Sequence, residues 1–146
     1  MLDRMGRDEM VYKIADIGCN WMKSDDEILK DMRSISNPNF QDFQGFSYLH
    51  TACQTHCIEA VKILLELGAD PNINDNRGFS PISCAVGSIN ENNIPILKLM
   101  LDYGLDLQKR EGDQTLKEFL ERFNEDDMNR VIEEYIAKLS AKTESS

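Results

Sequence analysis

Residues 37–74 read NPNFQDFQGFSYLHTACQTHCIEAVKILLELGADPNIN, a stretch that returns to its own opening. Asn37-Pro-Asn39 recurs as Asp70-Pro-Asn72, and Asp42 and Gly45 recur as Asp75 and Gly78, each pair separated by the same 33 residues. A fixed period of that length means that one supersecondary unit is stacked on copies of itself. Gly45 and Gly68, with Gly78 and Gly104 as their counterparts, stand where a turn or a helix end calls for positive φ. Ser80-Pro81 reads as a helix start, a capping hydroxyl followed by a proline whose missing N–H is no loss there. Ile58, Val61, Leu64 and Leu65 fall at helical spacing and make one apolar stripe. Helices this short do not hold alone, so each unit must hide its apolar face against the next.

Gly45-Phe-Ser-Tyr-Leu-His-Thr-Ala52, Glu59-Ala-Val-Lys-Ile-Leu-Leu65 and Gly68-Ala-Asp-Pro-Asn72 closely resemble the ankyrin repeat, whose pattern runs Gly-x-Thr-Pro-Leu-His-x-Ala, Val-x-x-Leu-Leu and Gly-Ala-Asp-x-Asn. A second copy, Gly78 to Ala85 with Ile96 to Leu101 and Tyr103 to Asp106, keeps the pattern with drift. The resemblance implies an all-α ankyrin-repeat solenoid of about four helix-turn-helix repeats linked by short hairpin fingers. Its expected extent is a single domain over residues 1–139. A degenerate N-terminal repeat covers 8–40, full repeats cover 41–73 and 74–109, a capping repeat covers 110–139, and 140–146 form a frayed tail.

Counting back by the period puts Ile28 under Val61, Met32 under Leu65 and Cys19 under Ala52. Met10, Ile14, Ile17 and Trp21 predict an amphipathic helix, and Ser24-Asp-Asp-Glu27 is a capping box that opens a second helix to about Ser34. This first unit is expected to lack a finger. Gly68 and Gly104 are 36 apart, so extra residues belong in Gly87 to Asn93, with Asn92 or Asn93 capping the next helix and Pro95 in its first turn. After Gly112, Leu116 takes the place of Leu49 and Ile82, and Phe119 that of a small core alanine. Thr115-Leu-Lys-Glu118 is again a capping box; Met128, Val131, Ile132, Tyr135, Ile136 and Leu139 predict a final helix of about a dozen residues. Glu125, Asp126 and Asp127 stand at its start, where the macrodipole favours acids.

Sixteen Lys and Arg against 26 Asp and Glu leave a net charge of −10, which argues against unaided binding to nucleic acid or membrane and suggests a basic partner. Cys19, Cys53, Cys57 and Cys84 lack the tight framework of a small secreted domain and read as free thiols in a reducing compartment. With no apolar run that resembles a signal core or a membrane span, the expected location is cytoplasmic.

Chemistry has one foothold. His50, Cys53, His56 and Cys57 crowd one helix, with Cys84 one repeat away, which is the raw material of a small zinc- or thiol-dependent enzyme. Against it, the spacing departs from a paired Cys-x-x-Cys knuckle, and the adjacent His56 and Cys57 point apart on a helix. The resemblance assigns His50 to turn backbone. No phosphate loop, His-Glu-x-x-His pair or nucleophile elbow occurs, so no cofactor, metal or catalytic residue is expected.

Carried over by position, the ankyrin resemblance implies a partner-binding surface of Phe43, Gln44, Phe46, Thr55, Asn76, Arg77, Phe79 and Ser88. Arg110, Glu111 and Asp113 extend it onto a last hairpin that has lost its Asp. Aromatics at finger tips make good anchors, the alternative being that Phe46 and Phe79 pack on each other. The expectation is a non-catalytic protein-binding module, monomeric when free. Without a second domain to pass a signal to, a stoichiometric inhibitor is favoured over an adaptor or scaffold, in the manner of a bacterial immunity protein neutralising a basic toxin or enzyme.

Overall fold

The computed structural model describes residues 2–17, 25–87, 90–123 and 125–144. They form four helix pairs: α1 (Glu9–Ala15) with α2 (Asp25–Met32), α3 (Tyr48–Thr55) with α4 (Ile58–Glu66), α5 (Pro81–Val86) with α6 (Asn93–Asp102), and α7 (Leu116–Glu121) with α8 (Asp126–Glu144). α1, α3 and α5 pack side by side in one layer, and α2, α4, α6 and α8 in the other. Among the described residues, no helix is long and apolar enough to cross a membrane.

The period sets the core. Ile28 and Val61, and Met32 and Leu65, are equivalent by the 33-residue count, and all four are buried. Leu49 and Ile82 are likewise equivalent and fully buried. Beyond α5 the count changes to 36, which pairs Val61 with Leu97 and Leu65 with Leu101, both buried. The extra length therefore lies in the turn between α5 and α6, of which residues 88 and 89 lie outside the described part. Cys19, Trp21 and the Ser24 end of the expected capping box also lie outside it.

Three fingers share one hydrogen-bond scheme. In Asp42–Phe46 the Asp42 N–H donates to the Phe46 carbonyl at 2.9 Å and the Gly45 N–H returns to the Asp42 carbonyl at 2.9 Å. The Asp42 carboxylate accepts the N–H groups of Gln44 and Phe46 at 2.8 and 2.9 Å. Asp75–Phe79 repeats this, its carboxylate serving Arg77 and Phe79 at 2.9 and 3.0 Å. So does Asp3–Arg7, whose carboxylate serves Met5 and Arg7, both at 2.9 Å. The expectation that the first unit lacks a finger, and starts only at residue 8, is thus corrected. The finger lies 39 residues ahead of Asp42, not 33, so the period does not find it.

Fingers stack closely because Gly6 and Gly45 have no side chain. The space a Cβ would need at Gly6 is filled by the Phe43 ring, and at Gly45 by Asn76. Met5 carbonyl accepts the Phe43 N–H at 2.7 Å, and Gln44 carbonyl accepts the Asn76 N–H at 2.9 Å. At the opposite edge, asparagines bracket the loop of the following unit. Asn39 accepts the Asp70 N–H at 2.7 Å and donates to the Gly68 carbonyl at 3.4 Å; Asn72 does the same for Asp106 at 2.7 Å and Gly104 at 3.0 Å.

Some caps differ from expectation. The Ser47 hydroxyl and His50 form a capping box on α3, and Thr115 with Glu118 forms one on α7. Ser80 occupies the N-cap of α5, but its hydroxyl makes no cap bond; its own N–H is served by Glu111. Asn92 stands at the N-cap of α6 with its amide turned away to the His56 carbonyl at 2.8 Å. The last finger is a two-stranded hairpin, β1 (Arg110–Glu111) and β2 (Gln114–Thr115), joined through Gly112 and Asp113. α8 runs on to Glu144, past the point where a frayed tail was expected, through residues that favour helix and contain neither Gly nor Pro.

Candidate functional site

The fingers and the α1–α3–α5 layer enclose a concave groove, seen as two adjoining cavities of about 520 and 750 Å³ that share Ala15, Phe46, Thr51, Gln54, Asp75 and Arg77. Phe43, Gln44, Phe46, Asn76 and Arg77 line the first; Phe46, Thr55, Arg77 and Phe79 line the second. The finger scheme explains the rim, since Arg7, Phe46 and Phe79 each stand four residues after a finger aspartate.

The aromatic rings have distinct supports. Phe43 is 68 % exposed with its ring across Gly6. Phe46 rests on the His50 ring at 4.8 Å, and Phe79 pairs with Phe119 at 6.3 Å while the Arg77 guanidinium lies 5.5 Å above it. Phe119 meets Phe123 edge-on at 5.4 Å, so an aromatic row continues from the groove to the last unit. Phe119 is half-buried at the groove and does not fill the core position expected of it.

Other predicted residues are placed differently. Asn76 is tied down, its amide donating to the Phe43 carbonyl at 2.7 Å. Arg110 and Asp113 are exposed on the last hairpin, outside the lining of both cavities. Glu111 is only 2 % exposed, which removes it from any partner-facing surface. Its carboxylate accepts the Ser80 N–H at 2.9 Å and the Ser83 hydroxyl at 3.3 Å, with the Lys109 ammonium 4.0 Å away. Burial holds that ammonium below its usual range, against the pull of Glu111. Ser88 lies outside the described residues. Arg7, Thr51, Gln54 and Phe119 line the groove although sequence reasoning did not choose them. The finger spacing from Asp3 was the signal for Arg7.

The imidazoles are occupied. His50 Nδ1 accepts the Ser47 N–H at 3.1 Å, which leaves the ring proton on Nε2 to donate to the Phe79 carbonyl at 3.0 Å. Burial holds the His50 ring below the ordinary imidazole range. His56, left-handed at φ 56° after α3, places Nε2 2.7 Å from the Ala85 carbonyl. Burial pushes the Cys53 thiol far up and that of Cys84 to about 12, so neither is a ready thiolate at neutral pH. Among the described residues no three His, Cys, Asp or Glu side chains gather as a metal site would require.

The family model for ankyrin repeats, in three copies, matches residues 17–111. Human BCL-6 corepressor-like protein 1 is 31 % identical over 108 residues, which is 73 % of this chain and 6 % of that protein. A putative ankyrin repeat protein of Acanthamoeba polyphaga mimivirus is 39 % identical over 74 residues, 50 % of this chain and 9 % of that one. The matched stretch thus spans less than a tenth of either relative. An ankyrin repeat domain from Acinetobacter baumannii AYE, solved as a crystal structure, superposes with a TM-score of 0.74 at 17 % identity, over 91 % of this chain and 66 % of that one. Ankyrin repeats generally serve as protein-interaction modules and are typically non-enzymatic. With its 33-residue period, stacked helix pairs and aspartate-anchored fingers, the chain belongs to the ankyrin repeat family.

Proposed function

We propose that this chain is a non-catalytic binding module that holds a segment of another protein in its concave groove. The observation that carries the reading is the partly exposed apolar lining: Phe46, Phe79 and Phe119 line one cavity together with Arg77, whose guanidinium lies over Phe79. Aromatic and arginine side chains of this kind dominate the energetics of protein interfaces. The occupied imidazoles and high-pKa thiols support a binding role over the zinc or thiol chemistry that His50, Cys53, His56, Cys57 and Cys84 suggest in sequence.

A stoichiometric inhibitor and an adaptor both use such a groove, and the inhibitor form, with a toxin or enzyme as target, is part of the proposal. The test begins with a partner recovered using the intact chain as bait. Phe46→Ala with Phe79→Ala should speed its dissociation, each ring contributing on the order of 1–2 kcal/mol. Circular dichroism must show the variant folded. Wild-type affinity in the folded double variant would move the binding surface off the groove, and unchanged partner activity in the complex would remove the inhibitor form.

A further inference from the structure

The net charge of −10 suggests a basic partner, yet the groove does not share that acidic excess. Its charged lining residues are Arg7, Asp42, Asp75 and Arg77. The two carboxylates are beyond a ligand's reach: the Asp42 and Asp75 side chains are 1 % and 2 % exposed, and each already accepts two N–H groups of its own finger. The arginines are accessible. Arg7 is 31 % exposed, with its Nε committed to Asp42 at 3.1 Å. Arg77 is 75 % exposed and forms an ion pair with Asp75 at 3.6 Å, too long for a hydrogen bond, so its N–H donors are not committed there. Its guanidinium carbon lies 5.5 Å from the centre of the Phe79 ring, and at that exposure its N–H groups are within a ligand's reach.

We propose that the groove selects an extended protein segment carrying an Asp or Glu beside a large apolar residue, the carboxylate paired with Arg77 and the apolar side chain seated among Phe46, Phe79 and Phe119. This rests on the groove reading above and adds the chemistry of the occupant. A guanidinium presents a planar fork of N–H donors that suits a two-point contact with a carboxylate, and the Phe79 ring beside it limits the positions it samples. A lysine or arginine in the same place would meet Arg77 and no free acid. Exposed carboxylates gather on Glu118, Glu121, Asp126 and Asp127 of α7 and α8, an end better suited to a basic partner.

The test is selection of a random peptide library displayed on phage against the immobilised full chain, followed by fluorescence anisotropy with the enriched peptides made synthetically. Enriched sequences should place Asp or Glu beside an aromatic or large aliphatic residue. Arg77→Glu, at an exposed position, should weaken them about tenfold or more, Arg77→Gln should weaken them less, and a peptide with Lys in place of its carboxylate should recover binding to Arg77→Glu. Enrichment of basic peptides, or of peptides indifferent to Arg77→Glu, would overturn the inference; the groove reading then stands if Phe79→Ala still weakens them and falls with it if Phe79→Ala does not. A selection yielding no sequence bound through Arg77 overturns it as well.

Discussion

The carboxylate of Glu111 accepts the backbone N–H of Ser80 at 2.9 Å, the duty that Nδ1 of His50 performs for Ser47 one unit earlier. Ser83 holds the place of His50 in the second copy and is too short for it, so the acceptor comes from the next unit's hairpin. Glu111→Ala leaves a buried N–H unsatisfied and Lys109 without its counter-charge, and should cost about 1–3 kcal/mol. Glu111→Gln, which keeps an acceptor oxygen, should cost less. Urea midpoints at neutral pH measure both, and an unperturbed Glu111→Ala would show that Ser80 is served by something else.

Protonating His50 would put a hydrogen on Nδ1, where the Ser47 N–H now donates. Its folded pKa is depressed by burial, so the unfolded chain binds the proton more readily and stability rises with pH. The contribution is complete above the unfolded value of about 6.5 and is lost as pH falls through the folded one. Melting temperatures between pH 7.5 and 5 should therefore decline, and His50→Gln should flatten that limb. An equally steep decline in the variant would assign it to other groups.

Leu65 is 3 % exposed and shares its place in the stack with Met32 and Leu101. Leu65→Ala should cost about 2–5 kcal/mol through the cavity it leaves. Because units contact only their neighbours, the loss should broaden the denaturation curve or split it. A midpoint within error of wild type would contradict the burial.

Cys53, Cys57 and Cys84 are free thiols. A reductant should leave the melting temperature unchanged, and native-state labelling with an aromatic disulfide should be slow at Cys53, which is fully buried, and at Cys84, whose thiol is pushed up to about 12. Fast labelling of Cys53 with retained helicity would show an opening of α3 that the packing does not allow.

The stack was legible because its signals are local and recur: Asp42 and Asp75 for the fingers, Leu49 and Ile82 for the core, Asn39 and Asn72 for the loops. Reading failed where a role passes between units. Glu111 looks like a charged hairpin residue, and only three dimensions bring it under Ser80. The Asp3 finger escaped because extra residues between α1 and α2 break the count. Arg77 was placed on the groove, but its meaning depends on which carboxylates are buried, and composition counts Asp42 and Asp75 as freely as any surface acid.

Asn39 and Asn72 each use both ends of one carboxamide, the oxygen toward an N–H and the nitrogen toward a carbonyl two residues away. Loss of ammonia from either side chain is a slow chemical event that changes a single atom. It would replace the donor facing the Gly68 or Gly104 carbonyl with an oxygen and set two acceptors against each other, a repulsion where a bond had been. The joints between units therefore age by ordinary hydrolysis, and an old preparation would come apart first where those amides once held it.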